Sequence, residues 1–261
     1  MSRLRRDLAL VGWQILYEQR AFWRNRAGAF FVFLLPVIFL VLFSSIFQHQ
    51  SIGIGGGRSI TYVTFFVPGI LAYGGIATTF NNMAIGTAVL RDDGVLKRVA
   101  GTPLPAWAYI SARIGSTIVV TALMTVVVLL LGHYAYGADV RTATLPGLLV
   151  TLALGAATFT ALGIGIVRYV ANAEAAPAVA NAAILPLTFI SGIWFHFKLP
   201  TVLSDIGKVF PIRPLAHGMQ YAFNPFTRGA GFNSTDLLTL AIWLVVGLVA
   251  MARFLRQPYR A

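Results

Sequence analysis

The fold class this sequence predicts is an all-α membrane protein with six transmembrane helices, and three observations predict it. Only 11% of its 261 residues are charged, whereas a soluble domain carries about a quarter. Residues 27–57, 59–90, 114–138, 142–167, 175–197 and 237–252 contain no Asp, Glu, Lys or Arg. A helix crosses a bilayer with about 20 mainly apolar residues, and seldom with fewer than about 17. The last interval is slightly short, and Arg253 and Arg256 extend it by snorkelling. Third, the basic residues are asymmetric. With a cytoplasmic N-terminus, only Arg58, Arg141, Lys198, Lys208, Arg213 and Arg228 of the 20 basic residues fall on the far side. That satisfies the positive-inside rule and places both termini in the cytoplasm. It also accounts for the net charge of +12 without nucleic acid as a partner.

Residues 1–26 read as an amphipathic in-plane helix. Leu4, Leu8, Val11 and Ile15 recur at helical spacing, and Trp13, Tyr17 and Trp23 are interfacial anchors. The first span, about 27–47, is too long and too far from the terminus for a signal-peptide core, and Pro36 predicts a kink. The following loop "QHQSIGIGGGRS" lacks the lysine of a phosphate-binding loop and reads as a flexible external turn.

The second span, about 60–90, exceeds bilayer thickness and is therefore tilted, broken or projecting. It carries Pro68, several glycines, and the polar pair Asn81–Asn82 towards its inner end. The third span covers about 107–134. The fourth, about 145–167, sets Ala153, Ala157, Ala161 and Gly165 on one small-residue face suited to close packing. The fifth span, about 177–195, contains Pro186. Residues 196–233 form the most irregular region, in which "TVLSDIGKVF" and "LAHGMQYAF" read as short amphipathic helices dipping into the outer leaflet. The sixth span is about 236–255, with Ser234 or Thr235 as N-cap, and 256–261 form a cytoplasmic tail.

Chemistry within one chain is sparse. The absence of cysteine removes thiolate sites and disulfides. His49, His133, His196 and His217 follow no metal-binding spacing, so no metal site is expected. A membrane-embedded enzyme acting on lipids, with His217 beside Asp205, is one alternative. An ion-coupled secondary transporter is another, weakened because Glu174, Asp139, Asp205 and Asp236 all lie outside the span interiors.

The densest charge cluster lies elsewhere, in the inner segment "RDDGVLKRVAGTPLP" at residues 91–105. Asp92 and Asp93 stand at the start of a predicted short helix, with Lys97 and Arg98 a turn later, which suits the helix dipole and pairs Asp93 with Lys97. Val95, Leu96 and Val99 give that helix an apolar side, Gly94 weakens it, and Pro103 and Pro105 stop it. A solvated loop needs none of this patterning. The segment reads as a lever that receives force from a partner.

At this point the sequence resembles the permease subunits of type-2 ABC transporters, the daunorubicin-exporter-like and Nod-factor-exporter-like group above all. The likeness covers nearly the whole chain. It rests on "RDDGVLKRVAGTPLPAWAYISAR" between spans two and three, on "SGIWF", and on Leu199–Pro200 and the Phe210–Pro214 region. The resemblance implies a half-transporter for a hydrophobic or amphipathic substrate (drug, lipid or glycolipid) in the bacterial inner membrane. A second permease subunit, identical or homologous, would complete the path, and two separate ABC ATPase subunits would hydrolyse ATP with Mg, with no cofactor in this chain. By carry-over, Arg91, Asp92, Asp93, Gly94, Leu96, Lys97 and Arg98 would form the coupling helix, residues 1–26 the connecting helix, and 201–223 the re-entrant helices near an outer gate. Asn81 and Asn82 are candidate path residues, with polar helix packing as the other reading. Arg213 and Lys198, with His196, make the outer region basic, which would draw an anionic lipid or glycolipid headgroup.

Overall fold

A computed structural model describes residues 3–55, 57–102, 106–194 and 200–256. Among these residues, six helical stretches are long and apolar enough to cross a membrane: Arg26–Phe47, Tyr62–Asp92, Trp107–Tyr136, Thr142–Tyr169, Ala173–Ile190 and Ser234–Leu255. In chain order the helices are α1 (Arg3–Arg24), α2 (Arg26–Phe47), α3 (Tyr62–Ile76), α4 (Asn82–Asp92), α5 (Val95–Ala100), α6 (Ala106–Tyr136), α7 (Leu145–Ile166), α8 (Ala176–Ile190), α9 (Thr201–Val209), α10 (Ile212–Phe223) and α11 (Ser234–Leu255). Asn25 separates α1 from α2 and caps the latter, its side chain accepting from the backbone N of Gly28.

The second and fourth spans make the centre. Burial reaches 89% in the second and 67% in the fourth, against 17% in the first and 22% in both the fifth and sixth. Helices apolar on every side have no face to turn to water, so α2, α8 and α11 present their outer surfaces to lipid or another chain. On α3, Phe66, Ile70 and Leu71 are fully buried. Around them, rings from three segments pack: Phe43 lies 4.9 Å from Phe66, Phe47 4.8 Å from Tyr62, and Tyr73 4.9 Å from Trp194, centroid to centroid. Small residues set how closely the helices approach, as expected where van der Waals packing replaces the hydrophobic drive. A Cβ on Gly165 would lie 2.8 Å from Ala250 Cβ, and one on Gly247 would lie 3.0 Å from Ala161 Cβ. Gly74 likewise makes room for the ring of Pro36, whose Cγ a Cβ there would meet at 2.9 Å.

Several sequence expectations change. The loop after the first span is an antiparallel hairpin, β1 (Ser51–Gly55) and β2 (Arg58–Thr61), rather than a flexible turn. Its ends are brought side by side by α2 and α3, and Ile52 packs against the core. The second span is broken: a π-turn at Ala77–Asn81 divides α3 from α4. Hydroxyls of Thr78 and Thr79 donate to the carbonyls of Gly74 and Gly75 at 2.7 and 2.6 Å, so the widened turn leaves those acceptors satisfied. The fifth span ends at Ile190, followed by a turn with Gly192 at φ +79°, so it is shorter than the apolar run 177–195. The N-cap of α11 is Asn233, not Ser234 or Thr235; its side-chain Oδ1 accepts from Asp236 N. Pro103, Pro105, His196, Lys198 and the tail beyond Arg256 lie outside the described residues.

Candidate functional site: the charged end of the bundle

The segment after the second span does not form one helix from Arg91 to Arg98. Arg91 and Asp92 belong to the last turn of α4, Asp93 is its C-cap, and Gly94 takes φ +67°, a left-handed conformation that favours glycine. Only then does α5 begin. The turn at Gly94 moves Asp93 off the helix that carries Lys97, and no Asp93–Lys97 ion pair forms among the described residues.

The break divides the charges into two groups. Lys97 and Arg98 on α5 are exposed, as is Asp93, while Leu96 between them is buried at 3% exposure. Val95, Leu96 and Val99 face inward, so α5 has the two-sided character its sequence predicts. Arg91 does something else. Its Nη1 donates to the carbonyls of Val167 at 3.0 Å and Val170 at 2.8 Å, and Nη2 donates to that of Ala171 at 3.2 Å. These carbonyls mark the exit from the fourth span: Val167 is in its last turn, where it also accepts from Val170 N, and Val170 and Ala171 lie just beyond. Asp92 completes the clamp, accepting from Ala173 N at 2.6 Å and pairing with Arg91 Nε at 3.0 Å. The charged segment is thereby tied to the connection between the fourth and fifth spans.

A second link was not legible from spacing. Arg113, near the start of α6, is buried and donates to Glu18 of α1 at 3.0 Å. Its Nε donates to the Tyr109 hydroxyl and its Nη2 to Thr87 of α4. One turn on, Gln19 Nε2 donates to the carbonyl and hydroxyl of Ser116 at 2.8 and 2.9 Å. The signal in the sequence was slight: Glu18, one of two acids with Asp7 in an otherwise basic amphipathic stretch, and a lone base, Arg113, entering a span. Between α1, α2, α4, α5 and α6 a cavity of about 470 Å³ remains, with Glu18 and Arg113 on one wall and Val95, Leu96 and Val99 on another. Through it α5 and α1 share a boundary.

The other predicted residues part company. Asn82 lines this cavity, whereas Asn81 donates to Asn181 of α8 at 3.2 Å, and its own side-chain oxygen is buried without a partner among the described residues. The two asparagines do not line one surface. Arg213 does not project from the outer region: its Nη1 donates to the carbonyl and hydroxyl of Ser204 at 2.6 and 3.0 Å, joining α10 to α9. His217 pairs with Asp236 at 2.7 Å, and Asp205 with Lys208 at 2.8 Å, so the suggested His217–Asp205 pair is absent. Among the described residues no group of three or more His, Cys, Asp or Glu is placed to hold a metal.

Residues 11–224 match the family model of the ABC-2 type transporter. The inner membrane transport permease YadH of Escherichia coli (strain K12) is 24% identical over 218 residues, covering 82% of each chain. The putative transport permease YvfS of Bacillus subtilis (strain 168) is 21% identical over 253 residues, covering 95% of this chain and 97% of that one. The family consists of membrane translocation subunits that work with an ABC ATPase, and catalysis is not their task. With the match running from within α1 to the end of α10, and six helices long enough to span a membrane among the described residues, the chain belongs to the ABC-2 type transporter family as a permease subunit.

Proposed function

We propose that this chain is the permease half of an ATP-driven exporter in the bacterial inner membrane, with both termini in the cytoplasm. Its substrate is a hydrophobic or amphipathic molecule: a drug, a lipid or a glycolipid. A second permease subunit, identical or homologous, pairs with it, and two ABC ATPase subunits hydrolyse ATP with Mg at its charged end. The inner membrane permease of Escherichia coli among its relatives and the excess of basic residues at that end support this placement.

One observation carries the reading: the division of labour on either side of Gly94. Lys97 and Arg98 on α5 offer exposed charge to a partner, while Arg91 and Asp92 are already committed to the connection between spans four and five. A push on α5 is delivered to the bundle by two routes. One runs through α4 and the Arg91 clamp; the other crosses the shared cavity to α1 and its Glu18–Arg113 link. Two-state movement of these elements, biased by ATP in the partner, opens and closes the path.

Charge reversal tests it with the exposed residues only, since Asp92 is a structural partner. The variant Asp93→Lys, Lys97→Glu, Arg98→Glu is co-expressed with its ATPase and recovered in mild detergent. Loss of ATPase recovery, or recovery without substrate-stimulated hydrolysis, is the expected result. A variant complex that assembles, hydrolyses and transports normally sinks the proposal.

A further inference from the structure

At the opposite end of the molecule, three arginines from segments far apart in sequence border one recess of about 620 Å³. Arg58 comes from β2, Arg141 from the connection before α7, and Arg228 from the loop between α10 and α11. No Asp or Glu is among the described residues that line it.

The recess is built by protein contacts. Arg58 lies over the Phe226 ring, its guanidinium carbon 4.8 Å from the centroid. Arg141 donates from Nη1 to the carbonyls of Pro225 at 2.7 Å and Thr227 at 3.2 Å, which holds the loop and leaves Nε and Nη2 without a partner among the described residues. Arg228 is exposed and has no protein partner there. The loop is pinned further by Thr227 Oγ1 donating to Tyr221 O at 2.7 Å and by Gly147 N donating to Ala230 O at 2.9 Å. Gly229 and Gly231, at φ +75° and +77°, let it turn back towards α7. Two of the cations are therefore positioned in advance, and little ordering is left for a ligand to supply.

Converging positive charge without a carboxylate is unfavourable until an anion arrives. Guanidinium groups meet carboxylates and phosphates alike with paired N–H donors, and three of them around one recess match the higher charge and three acceptor oxygens of a phosphate group better than a single carboxylate. Exposed Phe226 and Phe232 beside the loop, at 45% and 47% exposure, give an apolar neighbour to such a group at the membrane boundary. We infer that the Arg58–Arg141–Arg228 recess binds a phosphate-bearing group at the hairpin end of the bundle. It is a different place from Arg213, whose guanidinium is turned onto Ser204.

The test uses the full chain in nanodiscs of phosphatidylcholine with phosphatidylglycerol added in steps, retained lipid being read by native mass spectrometry. In a second arm the chain in neutral maltoside is titrated with inorganic phosphate and followed by thermal shift. Arg58→Gln and Arg228→Gln are made singly and together. Lys208→Gln, at the same end but paired with Asp205, controls for loss of one charge. Phosphatidylglycerol retention should fall roughly fivefold per arginine removed, as expected for a basic residue facing an anionic surface, and should weaken with salt. Lys208→Gln should behave as the unmodified chain. A difference in the lipid arm alone identifies a headgroup as the ligand, and in the phosphate arm alone a free phosphate. Equal behaviour of the parent chain and the double variant in both arms overturns the inference.

Discussion

Glu18 and Arg113 meet at 3.0 Å although they stand 95 positions apart, with side chains only 12% and 5% exposed. Their contact docks the N-terminal helix onto the third span. Removing one partner of a buried pair costs about 3–5 kcal/mol, because the other charge is left uncompensated. Glu18→Gln should therefore lower the thermal unfolding midpoint of the purified chain sharply. The double variant Glu18→Gln, Arg113→Met removes both charges and should recover part of that loss. A double variant no better than the single one would show that the ion pair is not what holds α1.

Arg91 makes a prediction about shape rather than charge. Lysine keeps the positive charge but cannot reach three carbonyls with a planar fork. Arg91→Lys should lose most of what Arg91→Ala loses, on the order of 1.5–3 kcal/mol for hydrogen bonds from a charged donor. In the assembled complex both should uncouple ATP hydrolysis from transport. Full retention of coupling in Arg91→Lys would show that charge alone suffices.

Gly163 faces the backbone of the widened turn in the second span: a Cβ there would lie 2.6 Å from Phe80 O. Backbone cannot rotate aside as a side chain can. Gly163→Ala should destabilise the chain by about 1–3 kcal/mol, the usual cost of overpacking, and Gly163→Val by more. Size-exclusion profiles after graded heating measure both.

His217 supplies a pH dependence. Its hydrogen bond to Asp236 raises the imidazole above its ordinary value, opposed by burial and by nearby Arg213, and helped by the Asp236 charge. Because the folded-state value is the higher one, the added stability is complete below the unfolded value of about 6.5. It is lost as pH rises through the folded value. As pH rises above about 6.5, the unfolding midpoint should fall more in the parent chain than in His217→Gln. Identical pH profiles would remove the pair from the account.

Span number, the amphipathic N-terminal helix and the two short helices at 201–223 were readable because each is a long-period pattern of apolar residues. What the sequence hid was pairwise. Arg91 looked like one more charge in a cluster, yet its partners are backbone carbonyls, which no side-chain pattern announces. Arg213 looked free for the same reason, since Ser204 offers an ordinary hydroxyl and carbonyl. Asn81 and Asn82 are adjacent in sequence but separated by the end of the π-turn, which puts them towards different neighbours. The three arginines around the recess at the hairpin end come from one strand and two loops and have no common spacing at all.

The widened turn at Ala77–Asn81 also sets an angle. A residue in an α-helix advances about 100° around the axis, so the extra residue of a π-turn offsets everything beyond it by about that much relative to an unbroken helix. Residues before the turn are indexed to the aromatic core beneath Trp194, and those after it to the carbonyls that receive Arg91. Deleting one residue from the turn would leave the upper half seated and swing Arg91 away from the fourth span. The second span is two facets cut at different angles on one shaft, and the turn between them is the key that holds their phase.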